Sequence, residues 1–467
     1  MNRYKKLVSD TVLMALGNFS SRVLIFMLLP FYTYILTTED YGIADLFTTT
    51  ISMLIPILTL SISEATFRFA FDKEVNQEKN IFCSILIVIL SGIIILPITV
   101  ILSIWNETFS LYGIFFIMLY LSNALHTCLV NYARGTNHIR AFVLASVMYT
   151  LLLMIFNILF LAVLKIGIEG YLLSMILAYF GSSMYVFVCI KCWKAFQGEN
   201  LDIKLCKNML RFSIPMIFST TAWWIMNSIS KYMIIEFYGI DVSGVYGVAQ
   251  KIPTIISVLS SIFVQAWQIS AISVHGEKGS NEFYTNVYKV YEVGLFVAAA
   301  CIIFLTKPMA SILFQKDYYD AYVYVPILVL SCVFSCLASF LQSPFVAEKK
   351  SGVLLCSTLV GALVSVVTSY GLLMYIGTIG AAYATMIGFL ATWIIRIITS
   401  RKFVKFDLKW YKTICSMILL LIEAIVISID IPLGMLYCVI VIIIIVILHI
   451  DTIKLVLGGA LNMIKKS

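Results

Sequence analysis

Six ionisable residues, Arg22, Asp45, Glu64, Arg68, Lys231 and Lys251, stand inside otherwise apolar stretches of the sequence. A charge at the centre of a hydrocarbon layer costs about 2.5–3.5 kcal/mol even on the mildest scale. Arg22 lies about 21 Å into the first apolar stretch, at 1.5 Å per helical residue, too deep to reach either surface easily. Lys251 lies about 14 Å from the outer end of its own stretch by the same rise. Lys231 is only about five residues from an outer end and can snorkel. Glu64 and Arg68 are one helical turn apart and are expected to pair. Asp45 sits one turn into its segment, and with Glu64 it is a carboxylate that could couple an ion to transport. Glu423 lies in a late apolar segment and has no evident role. Two readings stay open. These charges pair structurally or snorkel, or they line a water-filled cationic cavity suited to an anionic cargo. The second gains because Arg22, Lys231 and Lys251 fall on the first two segments of two repeated halves of the chain, and no acid is as central as Arg22.

Other chemistry is absent from the sequence. No Gly-rich loop followed by Lys-Ser/Thr occurs, so nucleotide hydrolysis by that route is not expected. Cys189 and Cys192 have metal-pair spacing, but a structural zinc site needs four ligands and no second pair follows. His126, His138, His275 and His449 are far apart and form no ligand set. The eleven cysteines fall mostly in apolar segments and are read as small buried hydrophobes, not as a disulfide framework. No metal, no cofactor and no enzymatic activity are expected.

These charges matter because of what surrounds them. The chain has 467 residues, of which 61% are hydrophobic and 12% charged, with a mean hydropathy of +1.00. Soluble domains carry about twice that share of charge. Apolar runs of membrane-spanning length recur throughout, too long and continuous for barrel strands, so the fold class is an all-α polytopic membrane protein. Helices are expected at 8–36, 41–71, 81–104, 111–133, 141–164, 168–190, 213–236, 242–272, 290–306, 321–346, 353–376, 380–399, 413–429 and 433–450. Met1 to Lys6 imitate the basic start of a signal peptide. Asp10, Asn18 and Arg22 interrupt the apolar stretch after it, so the segment is read as an uncleaved first helix. The net charge of +8 does not point to nucleic acid, because the basic residues sit in short clusters between apolar runs. With both termini inside, 26 of the 32 Lys and Arg fall on the cytoplasmic side and 3 outside. One miscounted helix would scramble that asymmetry.

The sequence also repeats. Tyr41-Gly-Ile-Ala44 recurs as Tyr246-Gly-Val-Ala249, and Gly167-Ile-Glu-Gly170 as Gly377-Thr-Ile-Gly380, at nearly equal separations. The strongest polar loops follow the sixth and twelfth segments. The expected organisation is a six-helix lobe at 1–196, a cytoplasmic linker at 197–212 with a short amphipathic helix, a second six-helix lobe at 213–403, and two further helices with a tail at 404–467. An even number of helices per repeat requires both lobes to have the same orientation in the membrane.

These residues resemble a known family. The run from Asp10 to Leu46, with Pro30 and then Asp40-Tyr41-Gly42, is similar to the start of bacterial polysaccharide flippases of the multidrug/oligosaccharidyl-lipid/polysaccharide export superfamily. Leu60 to Phe69, ending Arg68-Phe69, resembles the family's second helix end, and Arg211-Phe-Ser-Ile-Pro215 resembles the opening of its second half. Ser230-Lys231-Tyr232, Gly244 to Ile252 and Phe263-Val-Gln-Ala-Trp267 resemble its seventh and eighth helices. The family usually has Asp-Arg where Ser230-Lys231 stand, and often a proline where Ile269 stands. Lysine keeps the charge there but not the fork-shaped donor set.

The resemblance implies two six-helix lobes around a central cavity lined by helices 1, 2, 7 and 8. It implies alternating access, with undecaprenyl-pyrophosphate-linked oligosaccharide carried from the inner to the outer leaflet of the bacterial cytoplasmic membrane. Arg22, Lys251, Lys231, Arg68 and Glu64 are then the expected cargo-binding residues. Membrane lipids, a polysaccharide polymerase and chain-length machinery are the expected partners. One alternative is a multidrug exporter of the same superfamily, which the cation Arg22 disfavours for cationic drugs. Another is a membrane-embedded glycosyltransferase or polymerase, but the longest outer loop, 307–320, holds only two Asp.

Overall fold

The computed structural model describes residues 23–72, 74–197, 201–274, 279–348, 350–404, 406–431 and 434–454. Among these the chain is helical, without strands. It divides into two compact units, Met1–Trp224 and Ile225–Ser467. Among the described residues ten helices are long and apolar enough to cross a membrane, or eleven if one bent pair counts as a single span. The chain is therefore a multi-pass membrane protein.

The first unit begins with α1 (Leu29–Ile35), α2 (Thr38–Leu58) and α3 (Ile62–Ala70). Thr37 and Asp40 form a reciprocal cap at the start of α2: the Asp40 N–H donates to Thr37 Oγ1 at 3.1 Å, and the Thr37 N–H to Asp40 Oδ2 at 3.3 Å. A single helix over 41–71 was expected. Instead Leu60 and Ser61 adopt positive φ, 52° and 53°, and separate α2 from α3. Pro56 contributes to this break, since it can donate no hydrogen bond to the preceding turn. Then come α4 (Gln77–Trp105), α5 (Glu107–Gly135), α6 (Ile139–Asn157, extended by a π-helical turn over Ile158–Val163) and α7 (Ile168–Cys189). Asn106 alone joins α4 to α5, and its side chain caps α5 through the Thr108 N–H at 2.8 Å. The lipid-facing end of α4 is bare, with Ile104 77% and Trp105 85% exposed. The interior is partly polar. His126 Nε2 lies 3.1 Å from Ser182 Oγ, packed between Tyr149 and Tyr179, so this histidine is a core residue.

The linker does not form the separate surface helix expected over 197–212. Its residues 203–212 are the first turns of α8 (Ile203–Tyr238), one 36-residue helix that crosses the unit boundary. No glycine interrupts it, and Pro215 removes only one donor. Asp202 caps α8: it accepts from the Leu205 N–H at 3.0 Å and from Lys79 Nζ at 3.3 Å. These donors hold its carboxyl below the usual carboxylate range. Cys83 on α4 and Cys206 on α8 form a disulfide with Cα atoms 5.8 Å apart. Reading every cysteine as a buried hydrophobe missed this pair, because α4 and α8 are far apart in sequence and meet only in the fold.

The second unit contains the rest of α8, then α9 (Ile240–Ala249), α10 (Thr254–Val274), α11 (Ser280–Phe304), α12 (Thr306–Leu313), α13 (Val325–Phe340) and α14 (Gln342–Ala347). It ends with α15 (Ser351–Ile376), α16 (Ile379–Ser400), α17 (Trp410–Ser428) and α18 (Gly434–Leu448). α15 and α16 pack through small residues: a Cβ added to Gly388 would meet Ser365 Cβ at 2.8 Å and the Gly361 carbonyl oxygen at 3.1 Å. The repeated glycines share a conformation. Gly167 has φ 68°, ψ −141° and Gly377 φ 70°, ψ −156°, a region essentially reserved for glycine.

Candidate functional site: a polar pocket at a broken helix

The second unit contains a polar pocket built around a helix break. A continuous helix over 242–272 was expected, but α9 and α10 meet at a 50° bend over Gln250–Pro253. Pro253 supplies no N–H and disfavours helical backbone at Ile252, so the helix ends and restarts there. The Thr254 hydroxyl donates to the Lys251 carbonyl at 2.5 Å, and the Cys332 thiol to the Pro253 carbonyl at 3.4 Å. Freed backbone groups inside a membrane protein are tolerated where side chains or a water-lined cavity satisfy them.

Lys251 stands in this break, half-buried, on the wall of a cavity of about 260 Å³. Asn227, Gln250, Thr254, Ser257 and Ser331 give the wall its polar groups, and Phe389 and Leu328 close it. Lys231 is 7% exposed and lies one turn along α8 from Asn227, on the same helix face. Beside it Ser230 Oγ lies 3.0 Å from Ser369 Oγ and 3.1 Å from Thr385 Oγ1, tying α8 to α15 and α16. The fold thus places Lys251 on the wall of a hydroxyl-bearing cavity, with Lys231 buried on α8 outside that cavity's lining. An ammonium beside serine and threonine hydroxyls can hold an anionic oxygen while the hydroxyls complete its solvation.

The first unit distributes its expected residues differently. Asp45 is buried in α2 at 8% exposure. Glu64 is half-buried in the first turn of α3, and Arg68 is exposed in its last turn. The expected Glu64–Arg68 ion pair is not formed; the ion pairs among the described residues include Lys79–Asp202, Lys307–Asp430, Lys409–Asp451 and Lys412–Asp451. The two residues are four apart, but α3 is a short helix with Glu64 turned partly inward and Arg68 to solvent. Arg22 lies outside the described residues.

Two buried charges were not singled out in the sequence. Arg396, which sequence spacing assigns to a basic cytoplasmic segment, is 1% exposed inside α16. Its guanidinium donates to Ser357 Oγ at 3.0 Å, Thr358 Oγ1 at 2.9 Å and the Ala338 carbonyl at 2.7 Å. Glu292 on α11 is 3% exposed and accepts from Thr413 Oγ1 on α17 at 3.1 Å. Their signal is proximity to hydroxyl-bearing positions on neighbouring helices, which appears only after folding. Glu423 is fully buried in α17. Among the described residues no three His, Cys, Asp or Glu are placed to hold a metal ion.

Known proteins share this architecture. A profile of the family described as polysaccharide biosynthesis protein matches residues 7–268. No curated protein matches the chain. Among solved structures, the lipid II flippase MurJ in an inward closed conformation superposes with a TM-score of 0.71 at 14% identity, covering 96% of this chain and 100% of that one. A multidrug resistance MATE family transporter of the MOP superfamily, inward-facing, gives 0.67 at 17% identity, covering 83% of this chain and 97% of that one. A MOP superfamily transporter from Pyrococcus furiosus gives 0.57 at 16% identity over 84% and 95%. At these identities the likeness is one of fold.

Proposed function

The chain belongs to the family of polysaccharide biosynthesis proteins, and from that membership we propose that it is a flippase for lipid-linked oligosaccharide. The cargo is an undecaprenyl-pyrophosphate-linked repeat unit, moved from the inner to the outer leaflet of a bacterial cytoplasmic membrane by alternating access and delivered to polymerase and chain-length machinery. The layout proposed is fourteen spans, in two parallel six-helix repeats and two further helices, with both termini in the cytoplasm.

The observation that supports this reading best is Lys251 at the break between α9 and α10, on the wall of a polar cavity inside a membrane protein. Broken helices at cavities are where transporters of several folds bind their cargo. A pyrophosphate crossing hydrocarbon carries a large desolvation cost, and a wet passage with cations lowers it. Arg22, Lys231 and Lys251 are assigned to the pyrophosphate and acidic sugars, and Arg68 and Glu64 to the end of the route. Asp45 and Glu64 are the proposed ion-coupling carboxylates. Several separated cations suit transport better than one deep clamp, because the cargo must also leave.

Charge reversal tests this reading. Lys251→Glu and Arg22→Glu are expected to abolish surface polymer at normal protein level in the membrane. Arg22→Lys is expected to retain part of it, since the charge survives without the bidentate fork. Lys231→Ala should be milder. Full surface polymer from both reversals at normal expression would exclude the cationic route.

A further inference from the structure

We propose that the basic ends of α11, α17 and α18 form a binding site for an anionic glycerophospholipid, distinct from the cargo pocket. Two cavities meet there. One, of about 160 Å³, is polar and is lined by Asn286, Lys289, Lys409, Lys412, Asp451 and Thr452. The other, of about 570 Å³, is an apolar groove between α11 and α18 lined by Val290, Val293, Gly294, Val297, Ala298 and Val446. Val290 and Thr452 belong to both, so the polar cavity adjoins the groove.

The charges around the polar cavity are unevenly committed. Its two acids are already engaged. Glu292 accepts from the Thr413 hydroxyl at 3.1 and 3.2 Å. Asp451 pairs with Lys412 at 3.1 Å and Lys409 at 3.9 Å. Lys289 is half-buried in the wall, out of ion-pair contact with the described residues, and its charge acts at longer range on Glu292 one turn along α11. Lysines outnumber acids, and the Asn286 amide adds neutral donors, so the cavity suits a single phosphodiester charge.

The groove continues that site in the direction a lipid tail would take. From Val290 to Ala298 along α11 it rises about 12 Å. Some lipid tail covers any apolar groove that faces a bilayer; the polar cavity at its head selects which lipid. Charge complementarity at the head and continuity with the groove commit the occupant to a phospholipid with an anionic headgroup.

The test uses the full purified chain in detergent, with native mass spectrometry and thermal unfolding. Phosphatidylglycerol, phosphatidylcholine of the same acyl chains, glycerol 3-phosphate and a polyprenyl phosphate are added separately and in competition. Phosphatidylglycerol is expected to bind about tenfold tighter than phosphatidylcholine, because lysines favour anionic headgroups. Lys289→Gln with Lys409→Gln should erase that preference while leaving weak binding of both lipids. Gly294→Phe should weaken both lipids, because a Cβ there meets nothing within 4 Å and the ring would enter the groove. The double lysine variant spares the helix packing, so it carries the test if Gly294→Phe fails to fold. Equal affinity for the two lipids, competition by glycerol 3-phosphate as strong as by phosphatidylglycerol, or displacement by the polyprenyl phosphate at lower concentration would each overturn the assignment.

Discussion

Arg396 within α16 and Lys251 at the break between α9 and α10 are both cations in apolar surroundings, and the fold treats them differently. Arg396 is sealed at 1% exposure with hydroxyls and a carbonyl aimed at its guanidinium. Lys251 borders a cavity. Arg396 is accordingly structural, a clamp joining α13, α15 and α16. Arg396→Ala should leave buried acceptors unmatched and cost about 1–3 kcal/mol, read as a lower unfolding temperature in detergent. An unchanged midpoint would contradict that role. Gly377 is equally local. Its φ of 70° with ψ of −156° would cost alanine about 1–3 kcal/mol, so Gly377→Ala should also lower the unfolding temperature, whereas Gly352→Ala, in open space with ordinary φ, should not.

The elements were partly legible in the sequence. Apolar runs identify membrane-spanning helices such as α4, α7 and α16 because nothing in them competes with the helix. The breaks were not legible. Pro253 and Pro56 stand in runs apolar enough to look continuous, and whether a proline bends or ends a helix depends on which neighbours satisfy the freed carbonyls. At the site, Lys251 is conspicuous as a charge, while the hydroxyls of Ser257, Ser331 and Thr254 become a pocket only after α9, α10 and α13 fold together. The break is expected to matter for transport. Pro253→Ala should straighten the 50° bend and reduce surface polymer at normal protein level; spin-label distances across α9 and α10 would report the straightening. The Cys83–Cys206 bridge was likewise invisible in one dimension. At an end that faces the reducing cytoplasm the pair should be open in intact cells, and mild oxidation of isolated membranes should close the bridge. Cys206→Ser should abolish the shift in non-reducing gel mobility; no shift in the unaltered chain would contradict the pairing.

For the whole molecule, the uneven distribution of lysine and arginine sets orientation. Reporter fusions within 191–197 and at Arg401 are expected to read cytoplasmic, and one at Lys316 external. An external signal at either basic segment would overturn the proposed span count. The proposed cargo route depends on that orientation, because the lipid-linked sugar must enter from the cytoplasmic leaflet. The central claim is transport itself, and the most direct measurement is the amount of lipid-linked oligosaccharide accessible on each leaflet, in a strain lacking the gene and in the same strain carrying it. The account predicts that the deletion leaves lipid-linked sugar on the inner leaflet and none of it in surface polymer, that the unaltered gene restores the distribution, and that Lys251→Glu does not. Unchanged leaflet distribution and normal surface polymer in the deletion strain would contradict it.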